Sequence, residues 1–212
     1  MLRYHTIPVT PFLQNSSIVW CDETMTGAVI DPGGEIARVR AVADRLGVRI
    51  EQILLTHAHI DHAGGAGALA RELGLPIVGP HPGDQFWIDA LAQQSVMFGM
   101  PPAEAFAPSR WLLDRDTVRI GRCALAVRHC PGHTPGHVVF HSAEAERAFV
   151  GDVLFAGNIG RTDFAGGDRD TLIASIVERL WPMGDDTVFV PGHGPESTFG
   201  RERRSNPFVG GT

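Results

Sequence analysis

One stretch constrains this chain more than any other: Thr56-His57-Ala58-His59-Ile60-Asp61-His62-Ala63-Gly64-Gly65. It follows an apolar, β-favouring run over 50–55 that reads as a buried strand. If the backbone stays extended past that strand, side chains at i and i+2 point the same way. His57 and His59 then aim at one point. Asp61 and His62 lie where a helix over 62–73 should begin, so they face a second point nearby. Neutral imidazole and carboxylate oxygen are ligands that zinc and similar metals accept. The spacing predicts two adjacent metal positions.

Length and composition leave room for such a site inside a full core. The 212 residues fit one large domain or two small ones. No solenoid-type repeat or low-complexity linker marks a boundary, so the expectation is a single domain over 1–212. A net charge of −6 gives no reason to expect a nucleic acid or an anionic membrane as partner. The chain has no lysine, so any fixed cation must be an arginine. Cys21, Cys123 and Cys130 are odd in number and show no CxxC spacing. They read as buried thiols of a reducing compartment. Residues 1–14 carry Pro8 and Pro11 without a long apolar run, and no segment is apolar enough to span a bilayer. These features together give an expected cytoplasmic location.

The pattern along the chain alternates strands with helices. Strands are expected over 2–9, 17–21 and 27–30, the last closed by the turn signal Asp31-Pro32-Gly33-Gly34. Ile36, Val39, Val42, Ala43 and Leu46 have helical spacing over 35–46, with Gly47 as the stop. A short strand over 76–78 and a helix over 83–98 follow, then a loop over 99–108. The second half predicts strands over 111–113, 117–120, 123–129, 137–141 and 148–153, a helix over 170–180 and a strand over 187–190. The tail after 196 has room for a short helix. This grammar implies an α/β domain of two packed sheets, with helices on the outer faces and the site at one edge.

Three further segments place a ligand-type residue in a turn after an apolar strand. They are Cys130-Pro131-Gly132-His133-Thr134-Pro135-Gly136-His137, Gly151-Asp152, and Pro191-Gly192-His193-Gly194. Glycine before each histidine or aspartate lets the backbone bend sharply and leaves room for a ligand. With the first stretch they make seven candidate ligands: His57, His59, Asp61, His62, His133, Asp152 and His193. An even division is three for each metal with one carboxylate bridging. His5, His81, His129 and His141 read as surface or strand residues. His137 is a candidate to hydrogen-bond a ligand rather than to be one, and Cys130 reads as a small buried residue.

The set T-H-x-H-x-D-H-x-G-G, P-G-H-T-P-G-H, G-D and P-G-H-G, in that order, resembles the metallo-β-lactamase superfamily, and most closely its glyoxalase II-like hydrolases. The resemblance implies an αββα sandwich with a dinuclear site. Carried over position by position, it implies that His57, His59 and His133 bind one metal and Asp61, His62 and His193 the other. Asp152 bridges them. Two divalent ions are implied, zinc foremost, with iron or manganese as variants. Gly160-Arg161-Thr162-Asp163-Phe164 resembles a family segment at the substrate mouth, where Arg161 offers a planar charged donor to a carboxylate. Its plainer alternative is a salt bridge to Asp163 or Asp168. Fewer than twenty residues follow His193, so the likeness is to a short form without the C-terminal region that holds glutathione in long members.

The activity implied is hydrolysis of a small-molecule thioester, typified by S-D-lactoylglutathione giving D-lactate and glutathione. Hydroxide held between the metals attacks the carbonyl, Asp61 orients it, and Asp152 holds both ions. Persulfide dioxygenases share the first motif and Gly-Arg-Thr-Asp-Phe. They imply an alternative, a single iron on His57, His133 and Asp152. Lactone, ester or phosphodiester hydrolysis on the same fold is a third reading. A purely structural zinc site is disfavoured because the set holds no cysteine.

Overall fold

The structure, a computed structural model, describes residues 1–211. The first half forms β1 (Leu2–Val9), β2 (Gln14–Cys21), β3 (Thr26–Ile30), β4 (Arg49–Leu54) and β5 (Ile77–Val78), hydrogen-bonded in that order. The first three pair antiparallel, while β3–β4 and β4–β5 are parallel. The parallel steps need crossovers. Helix α1 (Ile36–Leu46) supplies one, and α2 (Ile60–Ala63) with α3 (Ala66–Leu73) the other. Then come α4 (Gln85–Asp89) and α5 (Leu91–Phe98).

The second half forms β6 (Thr117–Ile120), β7 (Cys123–His129), β8 (Val138–Ser142) and β9 (Arg147–Gly151), then a small hairpin, β10 (Leu154–Phe155) and β11 (Asn158–Ile159). Helix α6 (Arg169–Ser175) and a π turn over Ile176–Leu180 lead to β12 (Val188–Pro191), β13 (Ser197–Thr198) and α7 (Phe199–Ser205). The second sheet runs β13-β12-β9-β8-β7-β6, parallel only between β9 and β12.

Strand periodicity sorts the apolar residues into three cores. Ile18, Val29 and Ile53 face the helices of the first half, against Val39, Val42, Ala43, Leu69 and Leu91. Their neighbours Val19, Ala28, Ile30 and Leu54 face the other way, onto Val118, Leu125, Val127, Phe140 and Phe149 of the second sheet. Val139, Ala148, Val150 and Phe189 turn outward onto Leu172, Ile176, Leu180 and Phe199. Adjacent residues such as Ile53/Leu54 and Val139/Phe140 thus serve different cores, which is the period of two acting on sheets buried on both faces. The result is helices, sheet, sheet, helices, the αββα sandwich that the sequence resemblance implies.

Several expectations need correction. The helix expected over 62–73 is two helices, α2 and α3, divided at Gly64-Gly65. Those glycines press against the 31–34 turn: a Cβ on Gly65 would sit 2.5 Å from the Pro32 carbonyl, and one on Gly33 would sit 1.4 Å from that of Asp61. The helix over 83–98 is also split, at Ala90. Gln94 Nε2 donates to the Trp87 carbonyl (2.8 Å), the acceptor that Leu91 N–H would use in a continuous helix. Residues 111–113 form no strand: the neighbouring Arg110 makes an isolated bridge to Val78, and Leu112 N–H donates to the Pro80 carbonyl (3.0 Å). The helix expected over 170–180 becomes the π turn after Ser175. The strand expected over 148–153 ends at Gly151, in the left-handed region (φ +48°).

The contact between the 31–34 and 61–65 turns admits no side chain at Gly33. Gly33→Ala is therefore expected to destabilise the fold by about 3 kcal/mol, read from urea unfolding. A loss below about 1 kcal/mol would mean that the two turns can part without cost.

Candidate metal centre

Each strand that ends at this edge delivers a polar side chain. After β3, Asp31 takes a left-handed conformation (φ +49°) that aspartate tolerates. Its Oδ1 accepts from Thr56 N–H (2.7 Å), and its Oδ2 accepts from the Thr56 hydroxyl (2.6 Å) and from His62 Nδ1 (2.9 Å). The Thr56 hydroxyl is spent on Asp31, so at 3.1 Å it accepts from His57 Nδ1. With Nδ1 a donor on both rings, the lone pair lies on Nε2 of His57 and of His62.

The segment over 131–137 approaches from the second sheet. His133 Nδ1 donates to the Arg161 carbonyl (2.7 Å), which leaves Nε2 as the lone-pair nitrogen, 2.9 Å from His59 Nδ1. His193 donates from Nδ1 to the Phe12 carbonyl (3.1 Å) and turns Nε2 toward Asp61 Oδ2 (3.1 Å). Asp152 stands between these sets. Its Oδ1 is 3.2 Å from His62 Nε2, and its Oδ2 is 3.7 Å from His133 Nε2 and 3.6 Å from His193 Nε2.

Two groups of ligand atoms result: His57, His59 and His133, and Asp61, His62 and His193. Within each, the atoms lie within 4.8 Å of one another. Asp31, His57 and His62 form a third such group, but Asp31 is already committed to three donors. The donor set fits a cation in a specific way. His57 Nε2 is buried with no hydrogen-bond partner, and His62 Nε2 and Asp152 Oδ1, also buried, approach each other to 3.2 Å without hydrogen-bond geometry. Orphaned buried acceptors in one place are costly unless something else binds them, and nitrogen and oxygen donors of this kind suit a divalent transition metal.

The titration of these groups follows their surroundings. Burial and then the positive field of its neighbours, His62 foremost, hold His57 well below the ordinary imidazole range. Burial brings His59 down to about 3. Burial also opposes the charge on His62, but Asp152, Asp61 and the hydrogen bond to Asp31 override it and raise that ring well above the ordinary range. Burial opposes ionisation of Asp152 too, and the His62 charge reverses that and keeps the carboxylate well below its usual range. The site thus has a neutral imidazole side and a side where imidazoles face carboxylates.

Residues 9–193 match the Metallo-beta-lactamase superfamily. The chain belongs to that family. It is 45% identical over 209 residues to the hydroxyacylglutathione hydrolase GloC of Haemophilus influenzae, covering 98% of each chain. It is 35% identical over 190 residues to the human mitochondrial persulfide dioxygenase ETHE1, covering 87% of this chain and 67% of the relative. Among solved structures it resembles the BLEG-1 B3 metallo-beta-lactamase, with a TM-score of 0.90 at 34% identity, over 99% of this chain and all of that one. It also resembles TTHA1623 in a di-iron-bound form, with a TM-score of 0.88 at 36% identity, over 97% of this chain and all of that one.

In this metallo-β-lactamase fold all seven residues singled out from the sequence meet at one edge. His137 lies behind them. Its Nε2 accepts from the Asp152 N–H (3.0 Å), and its ring stacks on His57 with centroids 4.6 Å apart. Gly192 leaves space for the centre, since a Cβ there would lie 2.0 Å from Asp152 Oδ1. Among the other histidines, His81 and His129 stack on each other with centroids 4.0 Å apart, and His141 is buried on β8. Arg161 binds Asp163 through Nε and Nη2, both at 2.7 Å, with its guanidinium 4.0 Å from the Phe164 ring centroid.

Sequence reading missed Asp31, Asp84 and the aromatic walls. Asp31 reads as a turn former, and its role emerges only when β3 and β4 lie side by side. Asp84 is wholly buried. Its Oδ2 accepts from Ala58 N–H (3.0 Å) and the Thr134 hydroxyl (2.9 Å), and its Oδ1 from Gly136 N–H (2.6 Å). It therefore ties the 57–62 loop to the 131–137 loop. Burial pushes its carboxyl up to about 6 despite those three donors. A cavity of about 390 Å³ opens over the centre, walled by Phe12, Trp87, Phe98, Phe155, Ile159 and Phe164. The five aromatics among them come from the β1–β2 turn, α4, α5, β10 and the loop after β11, with no sequence pattern joining them.

Asp84→Ala strands three donors, each costing about 1–3 kcal/mol when left unpaired in the interior. The expected loss of stability is about 3 kcal/mol or more, read as a shift in the urea midpoint. Asp84→Asn, which keeps one carbonyl oxygen, should lose less. If both variants unfold with the wild type, the two loops are held by something else.

Proposed function

We propose that this chain is a metal-dependent thioester hydrolase of the glyoxalase II-like kind, acting on a hydroxyacylglutathione such as S-D-lactoylglutathione. The observation that carries the reading is the pair of ligand groups with Asp152 between them, both formed and backed by buried partners. In this reading His57, His59 and His133 hold one divalent ion and Asp61, His62 and His193 the other, while Asp152 bridges. Zinc, iron and manganese all suit that donor set. The 45% identity to GloC over nearly the whole of both chains supports the thioester as substrate. The reading treats 1–212 as one catalytic domain in the cytoplasm.

When bound, the two ions supply Lewis acidity and a water whose pKa is brought near 7. The rest falls to the chain's own side chains. Asp31 and Thr56 hold the His62 and His57 rings in the orientation that turns Nε2 inward. Asp61, held by His193 and facing the cavity, accepts a hydrogen bond from the attacking water and orients it. The aromatic walls exclude other water and seat the apolar part of the substrate. Cleavage of the C–S bond releases a thiolate, a leaving group that needs no strong general acid.

A second reading has support in the likeness to human ETHE1. His57, His133 and Asp152 would then hold a single iron for oxygen chemistry on a persulfide. It leaves His62, His193 and Asp61 without a task, although Asp31 and Phe12 position the first two. The purified chain is expected to take up about two divalent ions, measured by elemental analysis, and to release thiol from S-D-lactoylglutathione. Saturation at one iron, with oxygen uptake on glutathione persulfide and no thioester cleavage, would replace the hydrolase by the dioxygenase.

Arg161 is proposed as the anchor for a substrate carboxylate. Asp163 already occupies two of its nitrogens, so a substrate anion must share or displace that partner. The net gain therefore falls at the low end of about 1.5–3 kcal/mol for a charged hydrogen bond. Arg161→Ala should lower kcat/KM about 10-fold for a carboxylate-bearing thioester, chiefly through KM. A thioester without the carboxylate should be nearly unaffected. Equal losses on both substrates would make Arg161 a structural partner of Asp163 and Phe164 alone.

A further inference from the structure

One wall of the cavity is a piece of structure that cannot hold itself in place. Strands β10 and β11 have two residues each and are joined by Ala156-Gly157. Among the described residues they pair only with each other. A lone hairpin is marginal in water even at ordinary strand length, so two paired residues do not fix a position. Yet Phe155, Asn158 and Ile159 of this hairpin line the cavity over the metal centre. Something outside the hairpin must set where that wall stands.

Two buried polar side chains from the C-terminal helix reach it. Glu202 lies within α7 and Asn206 just past its end, one helical turn on, and they are 1% and 3% exposed. Glu202 Oε2 accepts from Gly157 N–H (2.8 Å) and from the Asn206 amide (3.0 Å). Its Oε1 accepts from the Ser197 hydroxyl (2.5 Å). Asn206 Nδ2 also donates to the Asn158 carbonyl (3.1 Å), and its Oδ1 accepts from Phe208 N–H (3.0 Å). The turn is thus gripped at two points, by an N–H at Gly157 and by a carbonyl at Asn158. A carboxylate is costly to bury without donors, and the main-chain donor that Glu202 uses belongs to the hairpin.

The helix is itself fixed to the second sheet. Phe199 at its start is fully buried and stacks on Phe189 of β12, with centroids 5.4 Å apart. The Thr198 hydroxyl caps the helix by accepting from Arg201 N–H (3.2 Å), and Gly200 N–H donates to the Asp185 carbonyl (2.9 Å). On its other side the hairpin runs into the metal centre. The Phe155 ring stands 6.2 Å from that of His193. A Cβ on Gly160 would lie 1.9 Å from the Asp152 carbonyl oxygen, and the Arg161 carbonyl accepts from His133 Nδ1. Hydrogen bonds therefore lead from α7 to the turn, and the turn leads to the wall.

We infer that Glu202 and Asn206 are positioning residues of the substrate cavity. From α7 they set the β10–β11 turn, and through it the wall of Phe155 and Ile159 against which the substrate lies. The identity of that substrate rests on the hydrolase reading above, while the placement of the wall rests on the hydrogen bonds alone. Neither side chain lines the cavity. Losing one should therefore weaken the hold on substrate and spare the chemistry at the centre, so that KM rises while kcat holds.

The test uses the full chain loaded with zinc. Glu202→Ala strands the Gly157 N–H, the Ser197 hydroxyl and the Asn206 amide, and Asn206→Ala frees the Asn158 carbonyl. Each is expected to raise KM for S-D-lactoylglutathione about 10-fold, with kcat within about 2-fold and the zinc content unchanged. Hydrogen exchange followed by mass spectrometry should quicken about 10-fold or more over 154–161 and stay at the wild-type rate over 57–62. Glu202→Gln should recover most of the loss, because its oxygen still accepts from Gly157 N–H and its amide can donate to the Ser197 hydroxyl. Exchange over 154–161 that matches the wild type in the alanine variants overturns the inference. So does an unmoved KM, or faster exchange along the whole chain, which would make the pair a plain stabilising contact. If Glu202→Ala fails to fold, Asn206→Ala decides by the same two readouts. A wild-type chain that cleaves no thioester sinks the hydrolase reading instead, and the exchange pattern then decides whether α7 holds the wall.

Discussion

The structure depends first on the buried carboxylate of Asp31. It takes hydrogen bonds from the Thr56 main chain, the Thr56 hydroxyl and the His62 ring, and so joins the ends of β3 and β4 to α2. Hydrogen bonds to a charged group are worth about 1.5–3 kcal/mol each, and a buried carboxylate lacking them would be strongly disfavoured. The consequence reaches further than stability. Because Asp31 can only accept, His62 must donate from Nδ1, and Thr56 passes the same demand on to His57. One acidic residue therefore determines which nitrogen two rings turn toward the centre.

A second carboxylate does for the two halves what Asp31 does for the first. Asp84 belongs to the first half in sequence, yet two of its three donors, Thr134 and Gly136, belong to the second. The His57–His62 loop and the His133 loop would otherwise approach as independent turns from separate sheets. Asp152 completes the convergence from β9, and its main chain is held by His137. The resulting site is electrically divided. The rings farthest from carboxylates are kept neutral by burial, while His62 and His193 are raised by the acids they face. An imidazole ligates only when it is deprotonated, so a cation binding beside Asp61, Asp152, His62 and His193 would displace the protons those rings otherwise hold.

The cavity above the centre is mainly aromatic, and its one Arg or Lys side chain among the described lining residues, Arg161, is already matched by Asp163. Orientation of a substrate there rests more on shape and on the centre itself than on fixed charge. A neutral reacting carbonyl, such as that of the proposed thioester, would suit such a cavity. The cavity also leaves little electrostatic reason for a polyanionic ligand, in keeping with the net charge of −6.

Much of this was legible in the chain. Apolar runs of alternating destination, such as Ile53/Leu54, describe strands buried on both faces, and the amphipathic 36–46 segment describes a helix covering one of them. The His-rich stretch and the three glycine-led turns announced a site because chemically distinctive side chains at strand ends are visible at short range. Breaks in regular structure were not visible. Gly64-Gly65 divides a helix because the 31–34 turn presses on it, and Gln94 ends another by taking the Trp87 carbonyl; both depend on partners distant in sequence. For the same reason the roles of Asp31 and Asp84 were unreadable. An aspartate in a turn carries no local mark of what will lie beside it. Residue types and spacing determined the candidate ligands and the layers. Only the packing of sheet on sheet decided which ring nitrogens turn inward and which loops are tied together, because those outcomes rest on hydrogen bonds between residues far apart along the chain.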